Sequence, residues 1–328
     1  MTQSYNIHLG DDARQRATGR APIDDIRGTL VRSLNPLIAA LALVGCLTPW
    51  AVPAAGSNRG LASASPTTPF TRLYVFGDSY SDIGAGYVDG NGPTAAAYLG
   101  WLMGLQITSS KAPDAAGKSL VFAVSGAGTG EGEGHRVKEA LLGYGMLNQV
   151  RDFASRVKAG DIRFDPQTTL FFIAGGLNDG RLQTQQTIAN LRRLIETIRG
   201  LGGRHVTLAQ LPTKIPQFAA VSLRLDPALQ AFVGGEGRSL GVDLWMNHWG
   251  RGFDDVMEHP AAYGIANTTD ACAGRALFDQ DPTPVGDPAT FFFFHEGHPS
   301  TAVHRIVGRK LFEELKGHPP RGDKQDSK

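Results

Sequence analysis

The chain has 328 residues, 41% of them apolar, with two cysteines and a formal charge of +1 at neutral pH. That composition is enough to bury a full core and excludes a disordered or collagen-like chain. The near-neutral balance gives no long-range attraction for nucleic acid or anionic membranes, and no repeat of about 20 to 50 residues suggests a solenoid.

In chain order, the first feature is an export signal. Arg27 and Arg32 precede the apolar run Leu34 to Gly45, which has the length of a signal peptide rather than of a bilayer span of about 20 residues. Leu43-Val44-Gly45-Cys46 resembles a bacterial lipobox, which implies lipidation of Cys46 and membrane attachment through it. Val52-Pro53-Ala54 and Ala62-Ser63-Ala64 suit ordinary cleavage instead, so lipoprotein and secreted forms both stay open. Residues 1–46 are read as signal and 47–70, small and rich in proline, as a flexible tether. The folded domain is expected over 71–316, with 317–328 a disordered tail. With Cys46 in the signal, Cys272 is expected to be an unpaired thiol rather than half of a staple.

Strands are expected at 73–76, 120–124, 169–174, 205–210 and 241–244, and helices at 146–158, 183–200, 224–239 and 300–315. Alternation of the two predicts a three-layer α/β/α sandwich around a central parallel sheet of about five strands. The unbroken apolar run Thr169 to Ala174 fits a strand buried on both faces.

Three of these strands end in residues with chemical potential. Leu73 to Phe76 runs into Gly77-Asp78-Ser79, which puts a candidate nucleophile where parallel sheets gather their reactive groups. Leu120 to Val124 runs into Ser125-Gly126, where a main-chain N–H is unobstructed, and Leu170 to Ala174 runs into Gly175-Gly176-Leu177-Asn178, which offers an amide donor. The N–H groups of Ser79 and Gly126 with the Asn178 side chain would form an oxyanion hole. Far downstream, His298 precedes Pro299 and the last helix and is the candidate general base. Each piece alone is common turn composition.

Together they resemble the GDSL or SGNH family of serine esterases and lipases, in which Ser, Gly, Asn and His come from four blocks, matched here by Ser79, Gly126, Asn178 and His298. Leu147-Asn148-Gln149-Val150, Leu211-Pro212 and Pro260 to Gly264 resemble segments of its phospholipase or lecithinase-like branch. The resemblance covers roughly residues 72–316. It implies a flavodoxin-like fold and a cofactor-free carboxylic ester hydrolase acting on a small-molecule or lipid ester through an acyl-enzyme; the N-terminal signal adds export, and a monomer is expected. The family usually writes Asp three residues before its histidine, and this chain has His295 there. Either Glu296 takes over, or the site is a Ser79–His298 dyad oriented by a main-chain carbonyl, an anion or another carboxylate such as Asp287. On the dyad reading, His295→Asp is expected to leave activity equal or higher.

Other classes fit less well. Ser125 to Gly130 is glycine-rich, but Glu131 and Glu133 follow where a phosphate would need neutral or positive surroundings. His295-Glu296-Gly297-His298 lacks the spacing of a helical zinc motif, and no metal is expected. A non-catalytic ester- or glycan-binding protein of the same fold is the remaining alternative. Trp245, Trp249, Phe253, Met257 and Tyr263 are read as an acyl-binding wall or as core packing.

Overall fold

A computed structural model describes residues 68–236 and 239–318. The signal segment with Cys46, the tether up to residue 67 and the tail from residue 319 lie outside them. The described residues belong to one compact unit.

The chain begins with strand β1 (Arg72–Gly77), helix α1 (Ala95–Leu102), edge strand β2 (Ile107–Ser109) and strand β3 (Ser119–Val121). A hairpin of β4 (Glu133–Val137) and β5 (Ala140–Tyr144) leads into α2 (Met146–Ala159). There follow β6 (Thr169–Ala174), α3 (Thr184–Gly200), β7 (His205–Ala209), α4 (Ala219–Glu236), β8 (Asp243–Asn247) and α5 (Trp249–Glu258). The last part holds β9 (Asn267–Ala271), β10 (Phe291–His295), the two-residue β11 (His298–Pro299) and α6 (Thr301–Lys316).

The main sheet is parallel, six strands in the order β2-β3-β1-β6-β7-β8. Five of them, β1, β3, β6, β7 and β8, were legible as strands, and their order is the flavodoxin-like one. The sixth, β2, corrects the expected count: three residues beyond β3 carry too little pattern to be read as a strand. β1 and β6 are buried along almost their whole length, as continuous apolar runs require.

Side chains alternate between the two faces of the sheet. Tyr74 and Phe171 meet Phe153 of α2, with ring centroids 4.9 and 5.7 Å apart. Leu170 and Phe172 turn the other way, toward Leu99 of α1 and Leu311 of α6. Helices therefore cover both faces, completing the three layers.

Several boundaries differ from the sequence reading. Thr68 and Phe70 are buried, and Phe70 packs against His205 and Trp245, so the folded unit includes the last residues assigned to the tether. At the other end His318 stacks on Trp245, 5.7 Å away. Helix α4 starts at Ala219, ahead of the expected 224, and carries Pro227 inside it. Helix α1, the β4–β5 hairpin and α5 were not foreseen. In α5, Trp249 and Phe253 are fully buried, so these aromatics are core and not an acyl-binding wall. Cys272 is a free, buried thiol. No described helix is long and apolar enough to cross a membrane.

The seating of α5 depends on a glycine. A Cβ on Gly250 would lie 2.2 Å from the carbonyl carbon of Leu211 and 2.4 Å from the nitrogen of Pro212, both main-chain atoms that cannot swing aside. Gly250→Ala should therefore destabilise the domain by about 1–3 kcal/mol. Thermal unfolding followed by circular dichroism should show a loss of at least about 2 °C, and an unchanged midpoint would mean that α5 shifts freely.

Candidate functional site

Three neighbouring strands, β3, β1 and β6, end side by side, and their carboxyl ends carry Ser125-Gly126, Asp78-Ser79 and Gly175 to Asp179. Main-chain bonds from Phe122 to Val75 (2.8 Å) and from Val124 to Gly77 (3.2 Å) keep the chain after β3 zipped to β1 almost to Gly126. The side chain of Gln149, near the start of α2, accepts from the Gly77 N–H (3.1 Å) and donates to the Gly77 carbonyl (2.9 Å). It thus extends the ladder by one imitation peptide group just before the turn that carries Ser79. A Cβ at Gly77 would come within 2.4 Å of the Ala174 carbonyl oxygen, so only glycine lets β1 and β6 stay paired there.

Ser79 is 7% exposed, and its Oγ lies 2.8 Å from Nε2 of His298. Beside it, Tyr80 is fully buried among Trp249, Phe253 and Phe218 and donates through its hydroxyl to the Gly297 carbonyl (2.6 Å). Gly297 has φ +69°, and its position is also pressed by Gln217, whose Oε1 would be 1.4 Å from a Cβ. The positive φ is what calls for glycine before His298, since the Gln217 side chain could swing aside. Helix α6 begins at Thr301, with Ser300 as its N-cap, and Pro299 ends β11.

Nδ1 of His298 lies 3.0 Å from the main-chain carbonyl of Glu296 and 2.8 Å from Nη2 of Arg275. The Glu296 carboxylate points elsewhere: the residue is exposed and meets His298 through its backbone. Asp287 caps a short 3-10 turn through Ala289. A different carboxylate, Asp89 from the loop after β1, stands 3.3 Å from His298 Nε2. It accepts from Nδ1 of His295 (2.7 Å) and Nε of Arg275 (2.9 Å). His295 thus binds an acid where the family pattern has one. Asp89 and Arg275 were not anticipated, since Asp89 sits in a Val-Asp-Gly-Asn-Gly turn and neither residue has a fixed spacing to Ser79 or His298. Among the described residues no group of three or more His, Cys, Asp or Glu is placed to hold a metal ion.

Burial holds the His298 imidazole below its usual pKa; Asp89 and the Glu296 carbonyl pull it up, while Arg275 and His295 push it down. For Asp89, burial favours the neutral form, but His295, His298 and Arg275 outweigh it and hold the carboxyl below its ordinary value.

Gly126, exposed at φ +77°, and Asn178, also exposed, both line a groove of about 1450 Å³. Asn178 is steadied by donating to the Ala127 carbonyl (3.0 Å). Among the described residues the Ser79 and Gly126 amides donate to no protein acceptor. The turn behind Gly126 is fixed by Asp82, which accepts from the amides of Gly84, Ala85, Gly86 and Ser125. Asp179 likewise accepts from the amide of Thr129 (3.0 Å) and from the hydroxyls of Thr129 and Thr187. The hydroxyl of Ser125 is committed to the Tyr87 carbonyl. Gln217 and Phe218 form another wall of the groove, and the Phe218 ring stands edge-on to His298, which brings the groove up to the histidine loop.

A serine hydroxyl held against an imidazole at the carboxyl edge of a doubly wound parallel sheet is the arrangement of a serine hydrolase. The chain belongs to the GDSL-like lipase/acylhydrolase family, whose model matches residues 73–311; it is a carboxylic ester hydrolase. Solved structures that it resembles include a lipolytic protein of the G-D-S-L family from Veillonella parvula (14% identity, 74% of this chain and 97% of that one, TM-score 0.37). Another is a catalytic mutant of an acetylxylan esterase from Geobacillus stearothermophilus (16% identity, 75% and 94%, TM-score 0.38). A Bacillus subtilis protein is matched over 77% of this chain at 12% identity and TM-score 0.39, but over 59% of its own length. No match was found among curated protein sequences.

Burial drives the Asp78 carboxyl up to about 7, and one of its oxygens has no hydrogen-bond partner. Between pH 4 and 7 the folded state therefore holds a proton that the unfolded chain has released, and this residue's contribution to stability falls as pH rises. His304, buried and held down to about 3, works in the opposite sense below its ordinary value, so the test is a difference between two proteins. Urea midpoints of Asp78→Asn relative to the parent should improve steadily from pH 4 to pH 7. A constant offset would show that Asp78 is ionised throughout.

Proposed function

We propose that the chain is an exported serine esterase or lipase working through an acyl-enzyme, with Ser79 as nucleophile and His298 as base. The observation that carries this reading is the 2.8 Å approach of Ser79 Oγ to His298 Nε2. With its proton on Nδ1 and donated to the Glu296 carbonyl, His298 turns the Nε2 lone pair toward the serine. Nε2 removes the hydroxyl proton as Oγ attacks the ester carbonyl. The oxyanion is received by the N–H groups of Ser79 and Gly126 and the amide of Asn178. Nε2–H then protonates the leaving alcohol, and a water activated in the same way releases the acid and restores the serine. None of these steps calls on a cofactor. Membership of the phospholipase or lecithinase-like branch is supported by the segments at 147–150, 211–212 and 260–264, and export with lipidation of Cys46 by the apolar run and lipobox.

One contact favours a non-catalytic binding protein instead. Arg275 can only donate, so if His298 Nδ1 accepts from it the proton sits on Nε2 and the serine cannot be activated. The two readings part at Ser79. On the catalytic reading Ser79→Ala abolishes hydrolysis of p-nitrophenyl esters with the fold intact, and a fluorophosphonate labels Ser79; an unlabelled parent protein would favour the binding protein.

Asn178→Ala should lower kcat by about 10² to 10³ with KM nearly unchanged, because the amide acts mainly on the transition state. A change confined to KM would make it a substrate contact. Glu296→Gln should lose less than about tenfold, a main-chain carbonyl being indifferent to the side chain. Because the His298 pKa lies below 6.5, the acid limb of kcat/KM should also fall below pH 6.5, with activity rising through it as the imidazole loses its proton. A limb at or above that pH would contradict the burial argument.

A further inference from the structure

The charge that the family pattern puts three residues before the histidine is missing from β10, yet a carboxylate stands in the site. His295 and His298 are a cross-strand pair on β10 and β11, so a carboxylate at 295 would be a close neighbour of the imidazole. His295 cannot supply a negative charge. Its Nδ1–H binds Oδ1 of Asp89, its ring stacks on Tyr87 (6° between planes), and Arg275 Nε closes on the same oxygen. The other oxygen, Oδ2, is left facing His298 Nε2 at 3.3 Å. The Asp89 side chain is 9% exposed, so little water screens it.

We propose that Asp89 performs the electrostatic work of the absent triad acid, stabilising the His298 imidazolium from its Nε2 edge, and that His295 is the positioning residue that holds it there. This rests on Ser79 and His298 acting as nucleophile and base. It divides between two groups what one aspartate ordinarily does: the Glu296 carbonyl orients the ring through Nδ1, and Asp89 supplies the charge. The need for that charge is local. When Nε2 takes the serine proton, the imidazolium faces the Arg275 guanidinium at Nδ1, His295 across the strand pair, the His304 imidazole of α6 and the uncharged ring of Tyr80. Asp89 is the one carboxylate in contact with the ring among the described residues. The placement also revises the expectation for His295→Asp: in the parent background it would remove a donor from Asp89 and set a second carboxylate against it, so activity should fall.

The test is Asp89→Asn, which keeps the shape and the Oδ1 acceptor but removes the charge. Expected are a kcat at least tenfold lower and an acid limb of kcat/KM moved to lower pH, because the imidazolium has lost its anion. A purely structural role would lower activity without moving the limb. Adding His295→Asp to Asp89→Asn returns a carboxylate from the other side and should recover activity and move the limb back up, whereas His295→Gln alone keeps a donor for Asp89 and should not move the limb to lower pH. Asp89→Asn with kcat within threefold of the parent, or with an unmoved limb, overturns the proposal, as does a double variant no better than Asp89→Asn. Ser79→Ala reports separately on the underlying reading: if it still hydrolyses esters that reading fails, and if it is dead while Asp89→Asn is unaffected only the role of Asp89 fails.

Discussion

The structure depends on joining two turns 219 residues apart in sequence, the one that carries Ser79 and the one that carries His298. A hydrogen bond at a site cannot itself supply that joining, because closing so long a loop costs conformational entropy that a single contact does not repay. The work is done by Tyr80. Its ring is locked between Phe218 and the α5 residues Trp249 and Phe253, two separate parts of the chain, and its hydroxyl fixes the Gly297 carbonyl. Core packing beside Ser79 thereby sets the position of His298.

The same economy runs along the sheet edge. Gln149 prolongs β1, Asp82 gathers four amides around the turn that ends in Gly126, and Asp179 ties the asparagine turn to Thr129. Each of these three side chains is satisfied by peptide groups or hydroxyls of a neighbouring turn, which rigidifies the strand ends. Asp78 departs from this pattern: its unpartnered oxygen and raised pKa mark a carboxyl that burial prefers protonated.

Around His298 opposite influences meet, and burial prevails. Burial and Arg275 favour the neutral imidazole that the proposed mechanism needs at rest, while Asp89 and the Glu296 carbonyl favour the charged form that the same mechanism passes through. A base needs both, neutral at rest and tolerant of charge in passing. Arg275 touches Asp89, the Glu296 carbonyl and His298 together, so it couples the loop after β1 to the histidine loop.

What the sequence determined was set by short-range pattern. The apolar runs ending at Phe76, Val124 and Ala174 specify strands, parallel strands collect their carboxyl ends in one crevice, and the residues that follow, Ser79, Gly126 and Asn178, were therefore readable, as was His298 before the last helix. What the tertiary structure decided was everything without a period or a fixed spacing. The three-residue edge strand β2 and the core role of Trp249 and Phe253 depend on neighbours remote in sequence. So does the place of Asp89, whose turn composition is ordinary and whose chemistry comes only from His295, Arg275 and His298, each some 190 to 210 residues further along the chain and brought to it by the fold.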